Sequence, residues 1–128
     1  MGRGKREMEK NKKITLKFNG RKKSIFVKKV SEFGKVSGLM FRLSTTSPLL
    51  FCFKDRTRMA IHSFFVFFPF LAIWFDKDFN VLEWKIINPW SVHIKPRKEY
   101  FYLIEVPFNA KYAEIIDFFV GKREKFKY

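Results

Sequence analysis

A chain of 128 residues that is 47% hydrophobic and 20% aromatic is the size of one domain and can bury a substantial core. Its 27 Lys and Arg against 12 Asp and Glu leave a net charge of +15, which predicts attraction to polyanions and says nothing about the fold. A single cysteine, Cys52, excludes an internal disulfide, and its setting in LLFCF suits a small buried hydrophobe better than a reactive thiol.

The amino terminus, MGRGKREMEKNKK, has a basic start but no apolar run and no small-residue cleavage site, so it does not read as a secretory signal. A reducing, cytoplasmic compartment is the expectation. Between Gly2 and Lys23 stand ten basic and two acidic residues, a local charge of +8. Residues 1–13 read as a basic, disordered arm and residues 14–128 as one mainly β domain. The high Lys, Arg and Phe content points toward a thermophilic source.

ITLKF alternates apolar and polar residues, and Asn19-Gly20 is a strong two-residue hairpin signal leading into SIFVKKV. Residues 14–30 are therefore expected to form a hairpin. Ser31 can cap a short helix running to about Met40, weakened by Gly34 and Gly38. Leu49–Phe53 reads as an apolar strand.

Met59 to Phe75, MAIHSFFVFFPFLAIWF, is seventeen residues without a charge. A membrane-spanning helix needs about 20 apolar residues, and Pro69 inside a helix would cost about 3 kcal/mol. No transmembrane segment is expected. Phe, Val, Ile and Trp favour strands, so the run reads as two of them, Ile61–Phe68 and Phe70–Phe75, with Pro69 at a bulge or strand start. FFVFF is apolar on both faces and must then be central and covered twice; on an open edge it would seed aggregation.

Asp76–Asn80 reads as a turn. In VLEWKII, alternation sets Leu82, Trp84 and Ile86 against Val81, Glu83 and Lys85. Tyr100–Val106 gives another strand, stopped by Pro107. Asn109 reads as the N-cap of a helix over Ala110–Val120 with a wide apolar stripe, closed by Gly121. The sum is a mainly β (α+β) fold: an antiparallel, barrel-like or sandwich-like domain of six to seven strands with a C-terminal helix.

The boxes GLMFR (Gly38–Arg42), LLFCF, FFPFLAIWFD and VLEWKI resemble domain-of-unknown-function family 192, and IHSFFVFFP resembles its archaeal members. The likeness runs from about Ser24 to Phe126. It implies a compact, mainly β fold of about one hundred residues with no established activity. Two acids of the family pattern are replaced here, by Leu71 and Lys122, whereas Arg42 and Asp76 stand at matching positions. Arg42, His62 and Asp76 are the candidates for a polar family site.

No acid, base and nucleophile set of a recognisable kind is present, so an enzyme, hydrolytic or otherwise, is disfavoured. His62 and His93 are the only histidines and match no metal-ligand spacing with Cys52 or the carboxylates. GRGKRE lacks the preceding strand of a phosphate-binding loop, and no cofactor motif is present. The composition favours a binding module, with RNA or another polyanion as the leading partner. Lys12, Lys13, Lys17, Arg21, Lys22 and Lys23 form one candidate patch; Lys95, Arg97 and Lys98, beside Tyr100, Phe101 and Tyr102, form a second, since basic residues next to aromatics combine backbone attraction with base stacking. An acidic protein, or a small ligand held at the mouth of a barrel, is the alternative. Trp90 in NPWSVH is the aromatic best placed to be exposed on this reading, but the general burial tendency of Trp favours a loop anchor folded onto the core.

Overall fold

The computed structural model describes residues 9–30, 46–57, 59–61, 66–92 and 94–121, and the statements below concern these residues. Six strands, β1 (Glu9–Phe18), β2 (Arg21–Val30), β3 (Leu49–Thr57), β4 (Phe70–Phe75), β5 (Val81–Ile87) and β6 (Tyr100–Pro107), precede a 3-10 turn (Ala110–Tyr112) and the helix α1 (Ala113–Val120). They form one sheet in the order β1-β2-β3-β6-β4-β5. All neighbours are antiparallel except β2 and β3, which run parallel through Lys28–Leu49 and Lys29–Leu50.

The hairpin forms for the expected reason. Asn19 and Gly20 both take positive φ, 52° and 75°, the combination a two-residue turn needs to match the strand twist. It extends further than expected. The ladder runs from Phe18–Arg21 to Glu9–Val30, so residues 9–13 belong to β1 rather than to an arm. The sheet curls until its two ends meet: the Lys17 amide donates to the Phe79 carbonyl at 3.0 Å, making a parallel bridge between β1 and the start of β5. The result is a half-barrel, closed at one corner.

β4 is the centre. All six of its residues are buried, because both sheet faces are covered there. One face carries Ile14, Leu16, Ile25, Val27, Leu50, Leu71, Ile73, Phe75, Ile104 and Val106 and takes Ile115, Ile116 and Phe119 of α1; we call it the helix face. The opposite face carries Leu49, Phe51, Phe70, Ala72, Trp74, Ile87 and Leu103 and is covered by Ile61, Val66, Phe68 and Ile94.

That cover corrects the reading of the apolar run. The doubly covered central strand is Phe70–Phe75, whereas Val66–Pro69 is not a strand: Val66 and Phe68 turn inward as a lid on the sheet and Phe67 stays 64% exposed. Ile61 contributes only a single bridge, to Ile94; residues 62–65 lie outside the described segments, as does the helix expected over residues 31–40. A bulge between Trp74 and Phe75 against β5 also breaks the simple alternation of VLEWKII, sending Val81 to the helix face and Leu82 to the other. The C-terminal helix is shorter than the periodicity predicts. Its first turn is 3-10, with the Asn109 side chain accepting from the Lys111 amide at 2.8 Å, and Gly121 ends it at φ 90° with its amide on the Asp117 carbonyl.

Candidate functional site

Strand alternation sorts the hairpin into two faces. Ile14, Leu16, Ile25 and Val27 point into the helix face, so their neighbours Asn11, Lys13, Thr15, Lys17, Lys22, Ser24, Phe26 and Lys28 share the other. Over β3, β6, β4 and β5 that face is covered, but along most of the hairpin it is open. Across the ladder, Lys13 stands opposite Phe26, Thr15 opposite Ser24 and Lys17 opposite Lys22. The two hydroxyls of the middle pair bond at 3.1 Å. Phe26 is 71% exposed, with the Lys13 ammonium 5.8 Å from its ring centre.

Electrostatically the surface is one-sided. From Asn11 to Lys29 the sequence has eight basic residues and no acidic one, and directly opposed like charges such as Lys17 and Lys22 destabilise a sheet. Two acids from elsewhere offset part of this. Glu114 of α1 pairs with Lys23 at 2.8 Å, and the Lys23 ammonium beside it holds its carboxyl below the usual value. Asp76 lies near Lys17; burial opposes ionisation, but hydrogen bonds from Asn80 and Asp78, with the Lys17 charge, outweigh it and hold the carboxyl below its ordinary range.

The candidate residues from the sequence separate accordingly. Lys13, Lys17 and Lys22 lie together on the open face, joined by Lys28. Lys12, although exposed, alternates onto the helix side, and Lys23 does so too in reaching Glu114. Arg21 lies against the helix end, its guanidinium 4.5 Å from the Phe118 ring centre and donating to the Phe118 carbonyl at 3.4 Å. Phe26 and Lys28 were missed as site residues, yet the signal was present: in SIFVKKV, putting Ile25 and Val27 inside forces Phe26 out.

The second patch keeps its charges and loses both of its tyrosines. Lys95, Arg97 and Lys98 are exposed on a segment pinned to β5, with the Arg97 amide on Glu83 Oε1 at 3.0 Å and Lys85 Nζ on the Lys95 carbonyl at 3.3 Å. Tyr100, however, is fully buried, donating to the Met59 carbonyl at 2.8 Å. Burial pushes its phenol up to about 12; the Trp74 indole N–H, which completes no hydrogen bond of normal geometry, opposes this, and Glu105 adds to it. Tyr102 is half-buried, stacked on Phe79 at 4.1 Å and 15°. Neither tyrosine can stack on a base.

The polar family site is described at one position only. Arg42 and His62 lie outside the described residues. Asp76 is committed to its turn, accepting from the amides of Asp78 and Asn80 at 2.8 and 2.9 Å and from Asn80 Nδ2 at 3.0 Å. Leu71 is fully buried on the helix face. Glu105, absent from the sequence candidates, is a carboxylate only 4% exposed in the middle of β6; nothing in YFYLIEVP marks it, because its burial depends on what covers the sheet. Among the described residues no three His, Cys, Asp or Glu side chains come together as a metal site, and no helix is long and apolar enough to cross a membrane.

The fold is shared with solved structures. A protein of unknown function from Novosphingobium aromaticivorans DSM 12444 superposes with a TM-score of 0.67 at 14% identity, covering 82% of this chain and 78% of its own. A proposed transcription regulator from Sinorhizobium meliloti 1021 gives 0.64 at 17% identity, covering 84% and 87%. No family model matches the chain, and no curated protein does.

Proposed function

We propose that the protein is a binding module for single-stranded nucleic acid, RNA in the first place, and that the open face of the β1–β2 hairpin is the surface that binds it. The observation that carries this reading is Phe26: a large apolar ring held 71% exposed on a ladder with Lys13, Lys17, Lys22 and Lys28, in a stretch from Asn11 to Lys29 that has no acidic residue. On a folding argument alone the position would favour a polar residue. A base has an apolar face to lay on that ring, and stacking of this kind is worth about 1–3 kcal/mol per base. Rows of side chains on one face of a strand repeat at about 6.8 Å, so the lysines form a track along which a phosphate backbone can run.

At the turn end the track leads into a groove of about 510 Å³ lined by Lys17, Asn19, Arg21, Lys22, Asn80 and Leu82, where the sheet closes on itself. Amide and cationic donors there suit a phosphate or ribose rather than an apolar ligand. The S. meliloti protein, described as a proposed transcription regulator, contributes at 17% identity the fold and no residue. Membership of family 192 remains compatible with this reading, which does not depend on it.

The test is fluorescence anisotropy with labelled oligouridylate. Phe26→Ala should weaken binding by about five- to a hundredfold while the heat-denaturation midpoint stays within a few degrees. Unchanged affinity would remove Phe26 from the site, and with it the reading.

A further inference from the structure

We infer that the protein carries a second, separate surface, built to dock on an anionic lipid bilayer, at the loop cluster that holds Phe67 and Trp90. Five large apolar side chains are exposed among the described residues: Phe26 belongs to the hairpin, and the other four are Met59 (44%), Phe67 (64%), Trp90 (49%) and Val92 (54%). They come from three stretches, Met59–Ile61, Val66–Phe68 and Trp90–Val92, which the fold links pairwise. Ile61 and Ile94 exchange both backbone hydrogen bonds, at 2.7 and 3.0 Å, which sets the Met59–Ile61 segment beside the one that follows Trp90. Phe67 and Trp90 meet edge to face with ring centres 5.9 Å apart. Two apolar rings in contact with one another and both open to solvent mark an interaction site on a monomer.

Backbone conformation agrees. Trp90 sits at φ 63°, a left-handed conformation that glycine or asparagine takes easily and a bulky residue does not. Its turn is closed by the Ser91 hydroxyl donating to the Asn88 carbonyl at 2.9 Å. A strained, exposed tryptophan in a fixed turn is an observation from which function is inferred rather than stability.

Charge decides the partner. Lys95, Arg97 and Lys98, all exposed, follow on the same segment, and the two acids beside them are engaged: Glu99 with Arg56 at 3.4 Å, and Glu83 with Lys85 at 3.4 Å and the Arg97 amide at 3.0 Å. Apolar tips followed on the same segment by cations are the pairing that peripheral membrane attachment requires, because neither a polybasic patch nor a small apolar insertion suffices alone. Val92 and Met59 have no π face to offer a base, so nucleic acid uses this cluster poorly. A bilayer accepts protruding side chains without a preformed groove, and Trp prefers its interfacial region.

The experiment is co-sedimentation of the full chain with phosphatidylglycerol and with phosphatidylcholine vesicles at near-physiological salt, paired with quenching of tryptophan fluorescence by brominated lipid. Trp74 is fully buried and Trp84 half-buried on the helix face, so quenching reports Trp90. Binding to the anionic vesicles with quenching is expected, reduced about tenfold or more in Phe67→Ala/Trp90→Ala and likewise in Lys95→Gln/Arg97→Gln/Lys98→Gln. Oligouridylate binding at the hairpin should be unchanged by the aromatic pair. Absence of anionic-vesicle binding overturns the inference and leaves the cluster to a protein partner. Binding without quenching, or binding indifferent to the aromatic pair, overturns it in favour of bulk charge; loss of oligouridylate rather than vesicle binding would reassign the cluster to nucleic acid.

Discussion

Removing Lys13, Lys17, Lys22 and Lys28 together, as glutamines, should change the salt dependence of RNA binding by a calculable amount. Each phosphate contact with a single strand contributes a slope of about 0.7 in log K against log salt, so four contacts account for about 2.8. Between 50 and 200 mM salt that corresponds to a difference of roughly fiftyfold: the native protein should lose that much more affinity across the range than the variant does. Phe26→Ala should behave differently, lowering affinity at every salt concentration and leaving the slope intact, because stacking releases no counterions. The assay is a set of anisotropy titrations at four or five salt concentrations for the three proteins, with urea denaturation confirming that each is folded. The lysine variant should be no less stable than the native chain, since Lys17 and Lys22 repel across the ladder. A slope change below about one, or a slope change of full size on replacing Lys95, Arg97 and Lys98 instead, would refute the assignment of the hairpin face.

Three further expectations concern the frame that holds these surfaces. Asp76→Ala removes a carboxylate that accepts three hydrogen bonds in the β4–β5 turn and should cost about 1–3 kcal/mol in urea denaturation. Because the folded carboxyl titrates below its ordinary value, this difference should be fully present above about pH 5 and shrink as pH falls through the folded value. For Tyr100 the sign is reversed. With its phenol pushed up to about 12, the native chain should lose stability relative to Tyr100→Phe as pH rises from 10 toward 12, by about 2–3 kcal/mol at the top of that window. Leu71→Asp puts a carboxylate at a fully buried position against α1 and should unfold the domain, measured by loss of the cooperative thermal transition.

Much of the frame was legible because local chemistry and tertiary structure agree on it. Asn19-Gly20 dictates a tight hairpin wherever it stands between alternating strands, and Asp76–Asn80 carries its own hydrogen-bonding partners. Asn109 and Gly121 bound the C-terminal helix by side-chain and φ preferences that need no distant contact. The apolar run from Met59 to Phe75 already required a central strand covered on both faces, although the pattern put it at FFVFF and the fold puts it at Phe70–Phe75. Composition likewise determined that the surface would be cationic, since +15 cannot be hidden in a core of this size.

Other features required the third dimension. The parallel pairing of β2 with β3 and the order in which β6 enters between β3 and β4 depend on contacts between residues far apart in sequence, which no local pattern encodes. Val66–Phe68 has the composition of a strand, but it covers the sheet instead, because β4 already has both its partners in β5 and β6. The same competition decided the sites. Six basic residues near the amino terminus look alike in sequence; strand parity and the position of α1 turn Lys23 and Arg21 toward the helix and leave Lys13, Lys17 and Lys22 outside. Tyr100, adjacent to a basic run, reads as a stacking platform until the fold buries it. Sequence fixes which side chains carry charge or a ring, and only packing, by choosing which surfaces are covered, decides which of them a ligand can reach.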